Sequence, residues 1–549
     1  MSTDHRVNIE TAPHRLEAAH AYLFTKESLN FLHDFITEFD DELEKLHKKR
    51  LERNLQIKSG KWRPEFNNFS ETTDWTIEEL PERLKNRKLD LGDVSPANTT
   101  YFVDCLYTNV QGIQVDFDDG HCPTFRNTIL GLYNVCLAVN SKLPGAPSNI
   151  QKCPLLMLRP RAFNMIEQNC MINGKQVSGT LFDFAILMFH CARLMCDLKI
   201  GPYFYLSKIE GPNETQFWNK IFIWTEKRLS LPKNSIKACV LIENILAAFC
   251  MDDILYSIRE HAIGLNCGIW DYSASIVAKF SDRKEFLLPD RNKYVNMRQP
   301  FLENYMKLLI NTCHKRNAIA TGGMAAKVLP AGKDTKGIKE TIVNEIKQQK
   351  IFEIEAGIDG FMIYDIRIVD DINQLWNEKC LKPNQIEILP SICHITPESL
   401  LKLPDGAVTN IGLKYNIKVA LFFIYHWLSG TGVFFMRNSV EDSATAEISR
   451  SQIWQWIRHS ASIEDENGKI IGIVTRRLVY RLIDDVIGKS YKTWCTSIAD
   501  RKRLLSSKFI LLEIISSRNF VEFITSYLYE NHKFKTIHNK NDGLFSKLF

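Results

Sequence analysis

Three observations predict an α/β protein centred on a (β/α)8 TIM barrel. Between residues 99 and 400, short runs of β-branched and aromatic residues alternate with amphipathic helical stretches. Repeated strand–helix alternation means parallel strands joined by right-handed crossovers. Seven or eight such steps in about 300 residues suit a closed barrel better than an open sheet. No Gly-x-Gly-x-x-Gly fingerprint or P-loop accompanies them, which disfavours the nucleotide-binding open sheets.

Residues 27–54, ESLNFLHDFITEFDDELEKLHKKRLERN, come first as one long amphipathic helix, with Leu29, Phe31, Leu32, Phe35 and Ile36 on its apolar side. A polar, Trp-containing irregular segment follows to residue 98. Strands are then expected at GIQVDFDD, PLLMLRPR, PYFYLSKIE, IKACVLIEN, IGLNCGIWDY, AIATGGMAA and GIDGFMIYD, with a weaker eighth at NQIEILP. Helices between them include GTLFDFAILMFHCARLM, ETQFWNKIFIWTEKRL and PFLENYMKLLINTCHKR. Helical patterning dominates again from residue 400. The expected organisation is an N-terminal helical segment at 1–98, a barrel at 99–400 and a C-terminal helical domain at 401–549.

Composition narrows the function classes. At 549 residues, 45% hydrophobic and 24% charged, the chain is globular and too long for one ordinary core. A net charge of +5 is small and dispersed, and RKRLLSSK at 501–508 reads as a solvated helical turn, so no nucleic-acid partner is expected. Fourteen cysteines without a C-x-x-C pair point to reduced thiols in an intracellular protein. The N-terminus lacks an apolar signal segment. Of the most apolar runs, VALFFIYHWL is too short for a bilayer and LFDFAILMFHCARLM carries Asp183, so a soluble protein with no membrane partner is expected.

Chemistry in such a barrel sits where the strands end. Those ends carry Asp116, Asp118 and Asp119, then Arg159 and Arg161, then Lys208 and Glu210, then Glu243, then Asp271. Each alone is explained by a rim ion pair or a solvated loop. Gathered on one face, the acids repel unless a cation holds them, and oxygen donors without Cys or His pairing select Mg²⁺ over zinc. Farther on, Glu441 and Asp442 open the helix SVEDSATAEISRSQIWQWIRH. Acids there ordinarily meet the positive end of the helix dipole, worth about 0.3–1 kcal/mol.

The blocks LIENILAAFCMDDILYSIREHAIGLNCGIWDY, GPYFYLSKIE, GTLFDFAILMFH, TCHKRNAIATGGMAA and EDSATAEISRSQIWQWIRH resemble the shorter, isoform A type of malate synthase, from FTKESLNFL to at least residue 480. The resemblance implies an acyltransferase that condenses acetyl-CoA, as co-substrate, with glyoxylate and hydrolyses the thioester to malate and CoA. That is a step of the glyoxylate cycle, linked to the tricarboxylic acid cycle. It also implies an N-terminal helical clasp and a C-terminal helical plug around the barrel. Mg²⁺ would be held by Glu243 and Asp271, with Asp116 and Asp118 around it. Glyoxylate would lie against Trp270 and the backbone N–H groups near Trp270 and Asp271. Arg159 would be the catalytic arginine, Arg161 a structural one, and Asp442 a general base delivered by the plug, which sets it apart from ordinary helix capping. Gly323 and Met324 in GGMAA would wall the acyl-CoA channel, although tight barrel packing asks for the same glycines.

The chain also departs from the family pattern. Asn164 in RAFN stands where a histidine is usual, and Ile269 where an arginine is common. GIDGFMIYDIRI replaces a segment typically like GHDGTWVAHPGL, so Met362 takes the place of an aromatic, followed by Tyr364, Asp365 and Ile366. Two alternatives follow: a condensing enzyme for another 2-oxo acid, or a non-catalytic paralogue that binds CoA or a partner. The ending GLFSKLF nearly matches a peroxisomal Ser-Lys-Leu signal but for Phe549, so a peroxisome is expected, with the cytoplasm as alternative.

Overall fold

In the computed structural model, which describes residues 7–66, 74–330, 336–493 and 495–532, eight parallel strands close into a barrel. The ending GLFSKLF lies outside the described residues. The strands are β1 (Leu89–Val94), β2 (Gly112–Asp116), β3 (Leu155–Arg159), β4 (Tyr203–Leu206), β5 (Lys237–Leu241), β6 (Ala262–Cys267), β7 (Ile319–Ala325) and β8 (Gly360–Ile363). They neighbour one another in chain order, and β8 closes on β1 with Phe361 opposite Leu89 and Ile363 opposite Leu91.

Seven staves lie where the sequence places them, and the eighth does not. NQIEILP is irregular, and the missing stave is LDLGDV, which puts the start of the barrel ahead of the expected boundary at 98/99. Two aspartates and a glycine in six residues are poor strand formers. Inside the barrel, however, Asp90 pairs with the buried Arg87 and accepts a hydrogen bond from the Tyr205 hydroxyl at 3.1 Å. Long-range partners therefore satisfy charges that locally argue against a strand.

Helix α1 (Lys26–Lys58) lays Phe31, Phe35 and Phe39 on Phe184, Phe217 and Trp224 of the barrel's outer helices. Near its end Arg50 reaches the barrel mouth, donating to Glu214 at 2.6 Å and to the Lys208 carbonyl at 2.7 Å. Helix α2 (Gly179–Asp197) is long and apolar enough to cross a bilayer, yet it is largely buried, and its Asp183 pairs with Arg161 at 2.7 Å.

Beyond the barrel, α3 (Asn410–Trp427), α4 (Ser443–Arg458) and α5 (Ile498–Ser516) share a second core that includes Leu421, Trp427, Ile453, Trp456 and Leu511. The segment 501–508 is not a solvated turn, because Leu504 and Ser507 are buried and Arg503 lies buried beside Asp500. Every residue of α4 from Ser443 to Trp456 is buried, polar ones included. Gln452, Gln455 and Trp456 donate to the carbonyls of Pro289, Phe286 and Leu288, at 2.7, 2.7 and 2.8 Å. Burying such groups is tolerable only when they are hydrogen-bonded.

Barrel closure accounts for the motif GIDG. Asp359 accepts from His314 Nε2 at 3.0 Å and from the Ala320 N–H at 2.6 Å, tying β8 to β7. A Cβ on Gly360 would lie 1.8 Å from the Arg87 carbonyl oxygen. Gly360→Ala is therefore expected to force β8 off the β1 end and to destabilise the fold by about 1–3 kcal/mol or more. A denaturation midpoint equal to that of the parent would contradict this account.

Candidate active site

Three acids meet at the barrel mouth. Asp119 after β2, Glu243 after β5 and Asp271 after β6 each bring a carboxylate oxygen within 4.8 Å of the others. Asp119, not Asp116 or Asp118, joins the two expected ligands. The Lys208 ammonium, from the end of β4, lies 2.9 Å from Asp271, 3.1 Å from Asp119 and 3.7 Å from Glu243. Its backbone sits in the left-handed region at φ +55°, uncommon for a side-chain-bearing residue, and its N–H donates to Glu243 at 2.6 Å.

One ammonium does not satisfy three carboxylates, two of them buried and Asp271 nearly so. Burial opposes ionisation of Asp119, but Lys208 and then Arg159 outweigh it and lower its pKa to about 2. Asp271 goes the other way, since burial raises its pKa well above the usual range against the pull of Lys208. A site of hard oxygen donors with surplus negative charge suits a divalent ion such as Mg²⁺.

Arg159 is clamped from three sides. Its Nε and Nη2 reach the two oxygens of Asp116 at 2.7 and 2.6 Å, Nη1 reaches Asp119 at 3.0 Å, and Nη2 also reaches Asp93 at 3.1 Å. Asp116 additionally accepts from the Asp118 and Gly120 N–H groups at 2.7 and 2.6 Å. With its oxygens so engaged, it shapes the turn and aims the arginine. Asp118 accepts from the Ala162 N–H at 3.3 Å, and burial followed by repulsion from Asp119 pushes its pKa up to about 7. Neither residue lines the central cavity; both stand behind it, Asp116 on Arg159 and Asp118 4.0 Å from the Lys208 ammonium. Arg161 is structural, held by Asp183 and Glu167.

The C-terminal lobe closes the mouth. Asp442 caps α4 after all: its side chain accepts from the Thr445 N–H at 2.9 Å while its own N–H donates to Thr445 Oγ1 at 3.0 Å. It also lines the central cavity, about 100 Å³, with Arg159, Glu243 and Asp271. Capping and an active-site position are thus not alternatives. Burial, then repulsion from Asp119, raises the Asp442 pKa. The next residue, Ser443, donates to Asp119, and Glu441 accepts from the Tyr415 hydroxyl away from the cavity. The lobe seats closely because Gly432 has no side chain; a Cβ there would lie 2.5 Å from the Gly120 carbonyl oxygen.

Trp270, Gly323, Met324 and Met362 complete the cavity wall. Trp270 opens the helix Trp270–Lys279, whose first-turn N–H groups lack intrahelical partners, and the Arg291 guanidinium lies 4.8 Å from its ring centre. The GGMAA glycines divide their roles. Gly322 packs against Glu353, whose Oε2 would lie 2.4 Å from a Cβ there and have to move, whereas Gly323 faces the cavity. Asn164 does not line the cavity but donates to Ser526 at 2.7 Å. Tyr364 stacks on Tyr101 with ring centres 5.2 Å apart, and Asp365 accepts from the Leu329 N–H at 2.7 Å while pairing with Arg367. The altered segment is well tied down.

Three participants escaped the sequence reading: Asp93, hidden in the unrecognised stave, and Asp119 and Lys208, visible at strand ends but given no role. If Lys208 is the standing counter-ion of the acid cluster, Lys208→Met is expected to destabilise the protein in chelator by about 3–5 kcal/mol. Mg²⁺ should then restore more stability to the variant than it adds to the parent. Calorimetric unfolding with EDTA and with Mg²⁺ checks this, and an equal response to Mg²⁺ counts against it.

Comparison with known proteins agrees with this architecture. The family models described as malate synthase, TIM barrel domain and malate synthase, C-terminal match residues 155–403 and 407–532. The malate synthase of Dictyostelium discoideum is 35% identical over 526 residues, covering 92% of this chain and 94% of that protein. Malate synthase A of Escherichia coli is 33% identical over 520 residues, covering 92% and 94%. The glyoxysomal malate synthase of Candida tropicalis is 32% identical over 531 residues, covering 94% of each. With both family models matched and this identity sustained along most of its length, the chain belongs to the malate synthase family of enzymes.

Proposed function

We propose that the protein is a Mg²⁺-dependent malate synthase, condensing acetyl-CoA with glyoxylate and hydrolysing the product thioester to malate and CoA. The observation that carries this reading is the convergence of Asp442, from the C-terminal lobe, with Arg159, Glu243 and Asp271 on one cavity. Glu243 and Asp271, joined by Asp119, are the residues that would hold the ion. Bound Mg²⁺ supplies Lewis-acid polarisation of the glyoxylate carbonyl and counter-charge for the acids. The N-terminus of the Trp270–Lys279 helix receives the glyoxylate carboxylate on its free N–H groups. Asp442 takes a proton from the acetyl methyl, and a buried carboxylate with a raised pKa is a stronger base than an exposed one. Arg159, held rigid by Asp116, donates to the enolate oxygen as charge develops there. Gly323 and Met324 border the acetyl end of acetyl-CoA. The seated lobe keeps water from the enolate until it has reacted with the aldehyde carbon. Relatives from Candida tropicalis and Brassica napus named as glyoxysomal favour a peroxisomal location.

Asp442→Asn tests the base. CoA release from acetyl-CoA, glyoxylate and Mg²⁺ is expected to fall about 10²–10⁴-fold. Stability should hold or rise. A carboxyl whose folded pKa lies above its unfolded value makes the folded state bind more protons between the two, so its stability contribution falls as pH rises through the folded pKa. At neutral pH the ionised group therefore weighs against the fold, and Asn removes that weight while still capping α4. Full activity in the variant would refute the assignment.

One observation favours a second substrate. Met324 and Met362 form an adaptable thioether wall, and the Cβ position of Gly92 lies 2.6 Å from Met324 Sδ and 3.4 Å from Met362 Sδ. Such a wall can give way to a methyl group, so pyruvate is expected to turn over alongside glyoxylate. Met362→Trp should lower the rate with pyruvate more than the rate with glyoxylate. Equal losses on both substrates would remove the argument.

A further inference from the structure

Among the acids lining the cavity, Asp93 is the one left without a role. It lies near the C-terminal end of β1 with its backbone in the left-handed region, φ +53°. Its N–H donates to Gln114 Oε1 at 3.0 Å and its Oδ1 accepts from Arg159 Nη2 at 3.1 Å, so its placement is fixed from two neighbouring strands. The side chain is 6% exposed, and Oδ2 is buried with no N–H or hydroxyl donor against it among the described residues. Asp93 from the barrel and Asp442 from the lobe line the same cavity, near enough for their carboxyls to interact.

Two carboxylates are acceptors only, so this contact is a hydrogen bond only if one member keeps its proton. The surroundings choose which. Asp93 faces Arg159 from β3, Asp116 from β2, Asp442 from α4 and the Tyr364 phenol beyond β8. Burial, then the charge of Asp442, raises its pKa well above the ordinary range. Asp442 faces Asp119, Arg159 and Asp93; burial and Asp119 raise its pKa, while the hydrogen bond from Asp93 and the Thr445 N–H lower it. Asp442 already accepts from the Thr445 N–H at 2.9 Å, whereas the buried Asp93 Oδ2 has no donor against it among the described residues, so Oδ2 of Asp93 is the atom on which the shared proton is placed.

We propose that Asp93 is a positioning residue for the condensation: a carboxylic acid that donates a hydrogen bond to the Asp442 carboxylate and links it to Arg159. The unit that receives the acetyl proton is then a dyad sharing one proton. When the methyl C–H bond breaks, its electron pair becomes the enolate and its proton joins Asp442, so the dyad holds two protons. As the new C–C bond closes, the dyad returns one to the alkoxide, and the count is restored. This inference rests on the malate synthase reading and on Asp442 as base.

The test is the pH dependence of kcat for CoA release in the full-length protein with saturating Mg²⁺. The parent is expected to show two limbs, an acid one where the dyad takes a second proton and an alkaline one where it loses its only proton. Asp93→Asn keeps a donor toward Asp442 and an acceptor for Arg159 but cannot ionise, so the alkaline limb should vanish and the acid limb remain. Asp93→Ala removes the donor, so the acid limb should move up by roughly one pH unit. Profiles of both variants superimposable on the parent would overturn the proposal. An inactive parent, or a fully active Asp442→Asn, would instead overturn the underlying function. If the variants do not fold, infrared titration of Asp118→Asn with saturating Mg²⁺ decides, since Asp118 then gives no band and the ion holds Asp271 ionised: a protonated-carboxyl band should disappear over the alkaline limb, and no such band refutes the dyad.

Discussion

Charge compensation at the barrel mouth is the constraint from which the rest follows. Arg159 contacts Asp93, Asp116 and Asp119, and Lys208 contacts Asp119, Glu243 and Asp271. Asp118 and Asp442 add further carboxyls to the same low-dielectric region. Two cations among so many acids leave an excess of negative charge, and burial magnifies its cost. Such a site can shed the excess by binding a divalent ion or by keeping protons on some acids. Both would serve the proposed proton abstraction beside a Lewis acid.

The C-terminal lobe is built to complete that site. Helix α4 buries a mostly polar sequence because its partners are barrel-mouth carbonyls and carboxylates. Its N-cap is Asp442, the proposed base, and the capping box fixes that side chain where the helix dipole meets the acid cluster. A base placed there is held by the lobe's core, which also covers the cavity, so docking and exclusion of water occur together. Stability is given up locally to keep an unneutralised carboxylate buried, a common arrangement at sites selected for activity.

Divergence has been absorbed away from this charge arrangement. Tyr364 fills space between Tyr101 and Phe435, Asp365 and Arg367 tie their loop to Leu329, and Asn164 fastens the C-terminal segment through Ser526. These residues support the wall of the cavity, whereas the arginine, the acids and the lysine set its electrostatics. The shape of the accepted acid is therefore free to drift while the reaction type stays in place.

The sequence by itself determined the barrel, its seven hydrophobic staves, the long apolar helix α1 and the charges that end the strands, Arg159, Glu243 and Asp271 among them; Asp442 stood out only through the family resemblance. Those features are local: a run of β-branched residues ending in a charge looks the same before and after folding. The tertiary structure decided what depends on distant partners. LDLGDV becomes a strand because Arg87 and Tyr205 satisfy Asp90, and NQIEILP stays irregular. Asp119 joins Glu243 and Asp271, while the turn after β2 spends Asp116 on Arg159 and backbone N–H groups. Asp93 meets Asp442 across 349 residues of chain only because barrel and lobe close on each other, and the proton balance between two acids is a property of the fold.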